Sequence, residues 1–380
     1  STLFRTLFPY TTLFRSRFKE RPMLPLLPPL LFLAAAYDPA PDLEAGRFLK
    51  AQAEAEARLR EQPRDALARA ARSQALSAQQ RFPEALAEAE QAVVLASAPG
   101  PLKAQALLAR GLARAGSALR ERNFGSLKRA SGALDDLEQA TAQDPRLARA
   151  WISLGLAYQE LPGLLGGSTR KALRCAAQLR AVQPARGDLL QGLILSLDER
   201  WWEAEPFFRK ALAAAPQDAE ILAFYLDALG SREARKALGR DEQRRRLAAE
   251  ARRLKPRFPT QARALEALSD ALLKAGQPEE AWTLTRNALD QADAPSLLRL
   301  QLGKLAARSG LHKEEGLAHL DRVLREPLEG GSGGYPAAHW RRGQILQALG
   351  RTQEARAAAH QALKHDPKHP GANRLLDELE

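Results

Sequence analysis

Two stretches decide the fold: WISLGLAYQE (Trp151–Glu160) and AEPFFRKALAAAP (Ala204–Pro216). In the first, Trp151, Leu154, Gly155 and Tyr158 recur at spacings of three and four, one face of a helix. In the second, Ala204, Phe208 and Ala211 keep the same period until Pro216, which ends the helix. Working outward, the residues twelve, eight and five before a proline or polar turn are of the same types along the chain. Ala133, Leu137 and Ala140 precede Pro145; Ala172, Ala176 and Leu179 precede Pro184; Ala355, Ala359 and Ala362 precede Pro367; Ala281, Thr285 and Ala288 precede Asp293. Ahead of each such helix lies another with a small residue at mid-length: Ser73, Gly111, Gly155, Gly192, Ser269, Gly303 or Gly343. From Gly192 to Ala204, Ser269 to Ala281 and Gly343 to Ala355 the interval is twelve.

The pattern has a packing reason. Two antiparallel helices approach most closely at their crossing, where Gly, Ser and Ala leave room, and larger residues fill the space between successive hairpins. A period of about 34 residues of this kind predicts an all-α solenoid, whose core grows by stacking. The expected chain has a leading helix (about 42 to 61), eight hairpins and a closing helix (about 369 to 380).

These residues resemble the tetratricopeptide repeat (TPR) family, whose pattern is W-x2-L-G-x2-Y followed by A-x3-F-x2-A-x4-P. Trp151, Leu154, Gly155 and Tyr158 match the first half, and Ala204, Phe208, Ala211 and Pro216 the second. The resemblance covers about residues 42 to 380 and implies a right-handed α-α superhelix. It also implies a non-catalytic scaffold that binds a protein or peptide segment in its concave groove. A loop like LPGLLGGS (Leu161–Ser168) is seen in some exported bacterial members.

Composition agrees with a helical chain: 45% of residues are apolar and 27% charged, with Ala, Leu, Arg, Glu and Gln, all strong helix formers, dominant. The formal charge is +12, of which residues 1 to 36 hold +4. The rest is interleaved with acidic residues, the pattern of a solvated helix face. Nucleic acid is disfavoured as a partner, because no platform of aromatic and basic residues accompanies the charge. Cys175 is the single cysteine and lies on an apolar stripe, a small buried hydrophobe by position.

The first 36 residues are read apart from the fold. Thr6 to Ser16, TLFPYTTLFRS, resembles a translated sequencing adapter, so residues 1 to 16 are expected to be an artefact. Arg17, Lys19 and Arg21, the apolar run Leu24 to Leu33 and Ala34 to Ala36 outline a signal peptide over residues 17 to 36. That run is too short to span a bilayer. The expectation is a periplasmic or secreted solenoid over 37 to 380, with a cytoplasmic protein as the alternative.

By register, the groove candidates are Arg149, Ile152, Leu156, Arg186, Leu189, Leu193, Asp270, Lys304, Arg308, Trp340, Arg341 and Gln344. Three hairpins are longer than the rest: ten residues are added between Gly111 and Ala133, five between Gly155 and Ala172, and about six between Leu226 and Arg244. These additions fall on one edge, whose candidate residues are Arg120, Arg122, Lys128, Leu164, Leu165 and Trp202. Binding surface and neutral drift both stay open for them.

The apolar run LLQGLILSL (Leu189–Leu197) suggests either a greasy groove or a pocket covered by the LLGG loop. It keeps open a small-molecule or glycan carrier using Leu161 to Leu197, and the basic edge keeps open an adaptor for an anionic polymer. The run Gly330 to Gly334 reads as a flexible joint before the last hairpin and cap (336 to 380). All six histidines lie between His312 and His369, but Pro367 separates His365 from His369 and no third ligand is fixed, so no metal is expected. No nucleophile elbow, H-E-x-x-H or glycine fingerprint is present, so no catalytic residue and no cofactor are expected.

Overall fold

The computed structural model describes residues 37–121, 124–329 and 334–380, and among these there are helices and no strand. A short α1 (Ala40–Glu44) leads to the lone helix α2 (Phe48–Glu61). Eight hairpins follow. They are α3 (Ala66–Ala78) with α4 (Phe82–Leu95), α5 (Pro101–Glu121) with α6 (Phe124–Gln143), α7 (Ala148–Glu160) with α8 (Thr169–Val182), and α9 (Pro184–Leu197) with α10 (Trp201–Ala214). Next come α11 (Ala219–Leu229), a short α12 (Arg232–Leu238) and α13 (Arg240–Leu254), then α14 (Ala262–Lys274) with α15 (Pro278–Ala288). The last two are α16 (Pro295–Ser309) with α17 (Lys313–Val323) and α18 (Gly334–Ala348) with α19 (Thr352–His365), and α20 (Pro370–Asp377) closes the stack. The predicted helical solenoid is what the chain forms.

Local chemistry sets the helix ends. Prolines open α5, α9, α15, α16 and α20, where a missing N–H costs nothing. Asp65 accepts the Ala68 N–H at 3.0 Å, and Asp218 accepts those of Glu220 and Ile221, satisfying donors that the first turn leaves orphaned. Five hairpins turn through positive φ after the first helix, four at a single residue (Gln80, Glu199, Gly276 or Gly350) and one at Gly310 with His312.

The three longer hairpins are built differently. The residues added after Gly111 go largely into lengthening both helices, so that α5 runs 21 residues and α6 runs 20. The five added after Gly155 form a single 3-10 turn, Gly163–Leu165, closed by Gly166 at φ 90. The six after Leu226 fold as α12, separated from α13 by Gly239 at φ 79.

Packing follows the small residues. A Cβ on Gly155 would lie 3.0 Å from Leu190 and one on Gly192 3.2 Å from Phe208, so each glycine marks where a neighbour presses on the backbone. One continuous apolar core runs from Leu107 to Ala358, with α9 near its middle. That position explains LLQGLILSL: Leu189, Leu190, Leu193 and Ile194 have no exposure, because helices cover α9 all round. Burying each such side chain is worth about 1.5–3 kcal/mol.

The superhelix also curls until its start meets its later hairpins. Arg47 pairs with Asp293 at 3.6 Å, the Leu49 N–H donates to Glu329 at 2.9 Å, and the Arg120 guanidinium donates to the backbone carbonyl of His365. The first helices therefore form an inner layer buried on most sides, and the second helices an outer layer buried on one face. Residues 1 to 36, expected to be adapter and signal, lie outside the described residues, as do Arg122 and 330 to 333 of the expected joint.

Candidate interaction surface

The curl divides the predicted groove residues into two sets. Arg149, Ile152 and Leu156 on α7 and Arg186, Leu189 and Leu193 on α9 are all buried, with exposures of 0 to 4%. They are core and buried ion-pair residues, not surface offered to a partner, because the closed superhelix covers this face. Arg149 donates to Gln74 at 2.9 Å, and Arg186 pairs with Asp218 at 2.7 Å and with Glu220. Burial pushes the Glu220 carboxyl above the usual range against the pull of Arg186.

The second set stays half-open on α14, α16 and α18. Asp270 pairs with Lys304 and accepts from Gln301 at 2.8 Å. Burial would raise the Asp270 carboxyl, yet Lys304 and Lys274 hold it below its ordinary value. Arg308, one turn beyond Lys304, is exposed. On α18 the Arg341 guanidinium sits 3.8 Å from the ring centre of Trp340 and donates to Gln344 at 2.7 Å. Burial first, and repulsion from Arg308 second, push Arg341 down to about 10.

The edge residues scatter. Trp202 is 57% exposed beneath Arg246, which lies 5.5 Å from its ring, while its neighbour Trp201 is buried. Leu164 is fully exposed and Leu165 half-buried, so the LLGG turn points outward and does not roof a pocket over α9. Arg120 ties down Gln80 and His365, and Lys128 is exposed. The basic edge is not one positive face: Asp136, itself buried, takes Arg110 at 2.6 Å and Arg114 at 2.8 Å. Sequence reasoning missed Asp136 as their counter-ion; its spacing of 22 and 26 residues from them was masked by the longer helices.

Among the described residues no three His, Cys, Asp or Glu side chains gather closely enough to hold a metal ion. His369 caps α20 by accepting the Ala372 N–H at 3.1 Å. No helix among the described residues is long and apolar enough to cross a membrane. Cys175 is buried, and burial pushes its thiol up to about 12.

Residues 336–369, the hairpin of α18 and α19, match the family model for the tetratricopeptide repeat. The other seven hairpins share its register. Over residues 336–369 the chain carries a tetratricopeptide repeat.

Solved TPR structures similar to this repeat protein include a thermophilic TPR protein from Thermus thermophilus. It is 25% identical, with 48% of this chain and 91% of that one covered, at a TM-score of 0.40. Pseudomonas aeruginosa pilF is 18% identical over 61% of this chain and 97% of its own, at a TM-score of 0.39. Yeast Tom70 is 13% identical over 88% and 78%, at a TM-score of 0.46. No curated protein matches the chain.

Proposed function

We propose that this TPR protein is a non-catalytic interaction scaffold. Its half-open inner surface, made by Asp270, Lys304, Arg308, Trp340, Arg341 and Gln344, holds a segment of a partner protein. One observation carries the reading: Arg341 is packed on Trp340 and is repelled by Arg308, while the carboxylate that offsets this, Asp270, is already paired with Lys304. An acidic side chain or chain terminus of a partner would relieve that repulsion and take charge-assisted hydrogen bonds from both guanidinium groups. An aromatic ring beside a desolvated arginine is also the composition of an interface hot spot.

The test is partner capture from the native cell with the unaltered chain, Arg341→Glu and Trp340→Ala. Loss of the same partners from both variants, at unchanged melting temperature, is expected. An identical bound set in all three would overturn the assignment.

We further place the protein in a bacterial cell-envelope assembly, periplasmic or secreted, on the basic, apolar and small-residue segments of residues 17 to 36. Fractionation with N-terminal sequencing tests this: a chain starting at Tyr37 outside the cytoplasm is expected, and an intact cytoplasmic chain would refute it.

A further inference from the structure

In the later part of the outer layer, charge pairs bridge successive second helices. Arg252 of α13 meets Glu280 of α15 at 2.6 Å, and Arg286 of α15 meets Glu315 of α17 at 3.1 Å. Glu280 and Glu315 hold the same register position, immediately before the buried small residues Ala281 and Gly316. Glu354 holds that position on α19, before Ala355. Among the described residues no such pair bridges α17 and α19: the position of Arg286, five residues past the small one, is Asp321 on α17. Glu354 instead pairs with Arg351 of its own first turn at 2.7 Å, and Asp321 with Arg342 of α18 at 2.6 Å.

Where no charge pair bridges them, α17 and α19 leave a cleft of about 430 Å³ over α18. Its apolar lining is Leu324, Ala357 and Ala358, and its polar rim includes Arg325, Arg342 and His339. Arg325 is exposed, donates only to the Asp321 backbone carbonyl at 3.1 Å, and has no carboxylate within ion-pair distance among the described residues. Two guanidinium groups thus face one carboxylate, and His339 is neutral near pH 7, held down by burial and by its neighbours His365 and Arg342. The cleft has a net positive charge, a size within the range of ligand pockets and an apolar floor.

We propose that this cleft docks an acidic segment of a partner protein, one of whose Glu or Asp carboxylates pairs with Arg325. A neighbouring apolar side chain of the segment covers Leu324 and Ala357. The surface is separate from the inner one: His339 and Arg342 lie on one face of α18, Arg341 and Gln344 on another. A segment bound here leaves the inner surface free, which gives the scaffold two points of attachment.

The experiment titrates the full chain, labelled with 13C-histidine, with the capped hexapeptide Glu-Leu-Glu-Glu-Leu-Glu, with its Gln-for-Glu analogue, and with citrate. Saturable shifts of the His339 resonances by the acidic peptide alone are expected. Binding should fall about tenfold or more in Arg325→Glu and in the cleft-filling Ala357→Trp. It should be unaffected by Arg341→Glu, which tests the inner surface instead. Both cleft substitutions are at exposed positions, so an unchanged melting curve checks the fold. Equal binding of the Gln analogue, citrate binding as tightly as the peptide, no His339 response, or equal affinity in Arg325→Glu would each overturn the proposal.

Discussion

The Glu329 carboxylate accepts the Leu49 backbone N–H at 2.9 Å across 280 residues of sequence. It caps a helix at the other end of the chain, so the last hairpins help to hold the first helix in place. Burial raises the Glu329 carboxyl, while the N–H groups of Leu49 and Phe48 and the charge of Arg47 pull it back. Glu329→Ala is expected to cost about 1 kcal/mol, the worth of a lost N-cap. Amide exchange at Leu49 should quicken, whereas Glu329→Gln, which keeps an acceptor oxygen, should leave most of the protection. Unchanged exchange at Leu49 in the alanine variant would mean that the closure does not persist in solution.

Arg186 offers a sharper test of the buried inner layer. It serves Asp218 and Glu220 at once, and all three are buried. Arg186→Leu strands two carboxylates away from water, for which a loss of about 3–5 kcal/mol is expected. The Glu220 carboxyl is already raised by burial, and losing the arginine raises it further. Its contribution is therefore most favourable at low pH, where it is protonated, and is lost as pH rises through the folded pKa. Urea midpoints should show a larger deficit at pH 8 than at pH 5, narrowed by adding Glu220→Gln.

Both findings bear on what the sequence could disclose. The repeat was legible because Gly155, Gly192, Ala204 and Ala355 report local packing at fixed intervals, and local packing is what a solenoid repeats. The curl was not, since Glu329 with Leu49 and Arg47 with Asp293 pair across many repeats and obey no period. Without the curl, Leu189 and Arg308 look equally groove-facing; with it, one is core and the other surface. The ten residues after Gly111 were countable as an insertion, but nothing in their composition distinguished a loop from two longer helices.

The glycines predict a ranking. A Cβ on Gly303 would lie 2.3 Å from Cγ of Leu320, a fully buried side chain with no room to withdraw, whereas on Gly192 the nearest atoms, of Phe208, are at 3.2 Å. Alanine in a helix interior otherwise gains roughly 0.5–1 kcal/mol over glycine. Gly192→Ala should therefore be close to neutral, the gain offsetting a small readjustment. Gly303→Ala should lose about 1–3 kcal/mol through overpacking. Thermal unfolding of the two variants side by side decides the matter, and equal melting temperatures would contradict the close-packing account.

Acid sensitivity should originate in the last hairpin. His339 stacks on His365 at 5.6 Å, which in turn stacks on Tyr335 at 5.2 Å, with Arg342 on its own helix and Arg120 reaching the His365 carbonyl. Burial, then the nearness of His365 and Arg342, push His339 down to about 4, and His365 is lowered by burial and Arg120. Between the ordinary histidine value of about 6.5 and that depressed one, the unfolded chain takes up protons that the folded chain refuses. Their contribution is thus fully present above pH about 6.5 and is lost as pH falls toward 4. His339→Gln removes one of these protons, so its melting temperature should fall less steeply between pH 6.5 and 4 than that of the unaltered chain. Parallel curves would show that the ring is protonated without cost and that the stack is open to solvent.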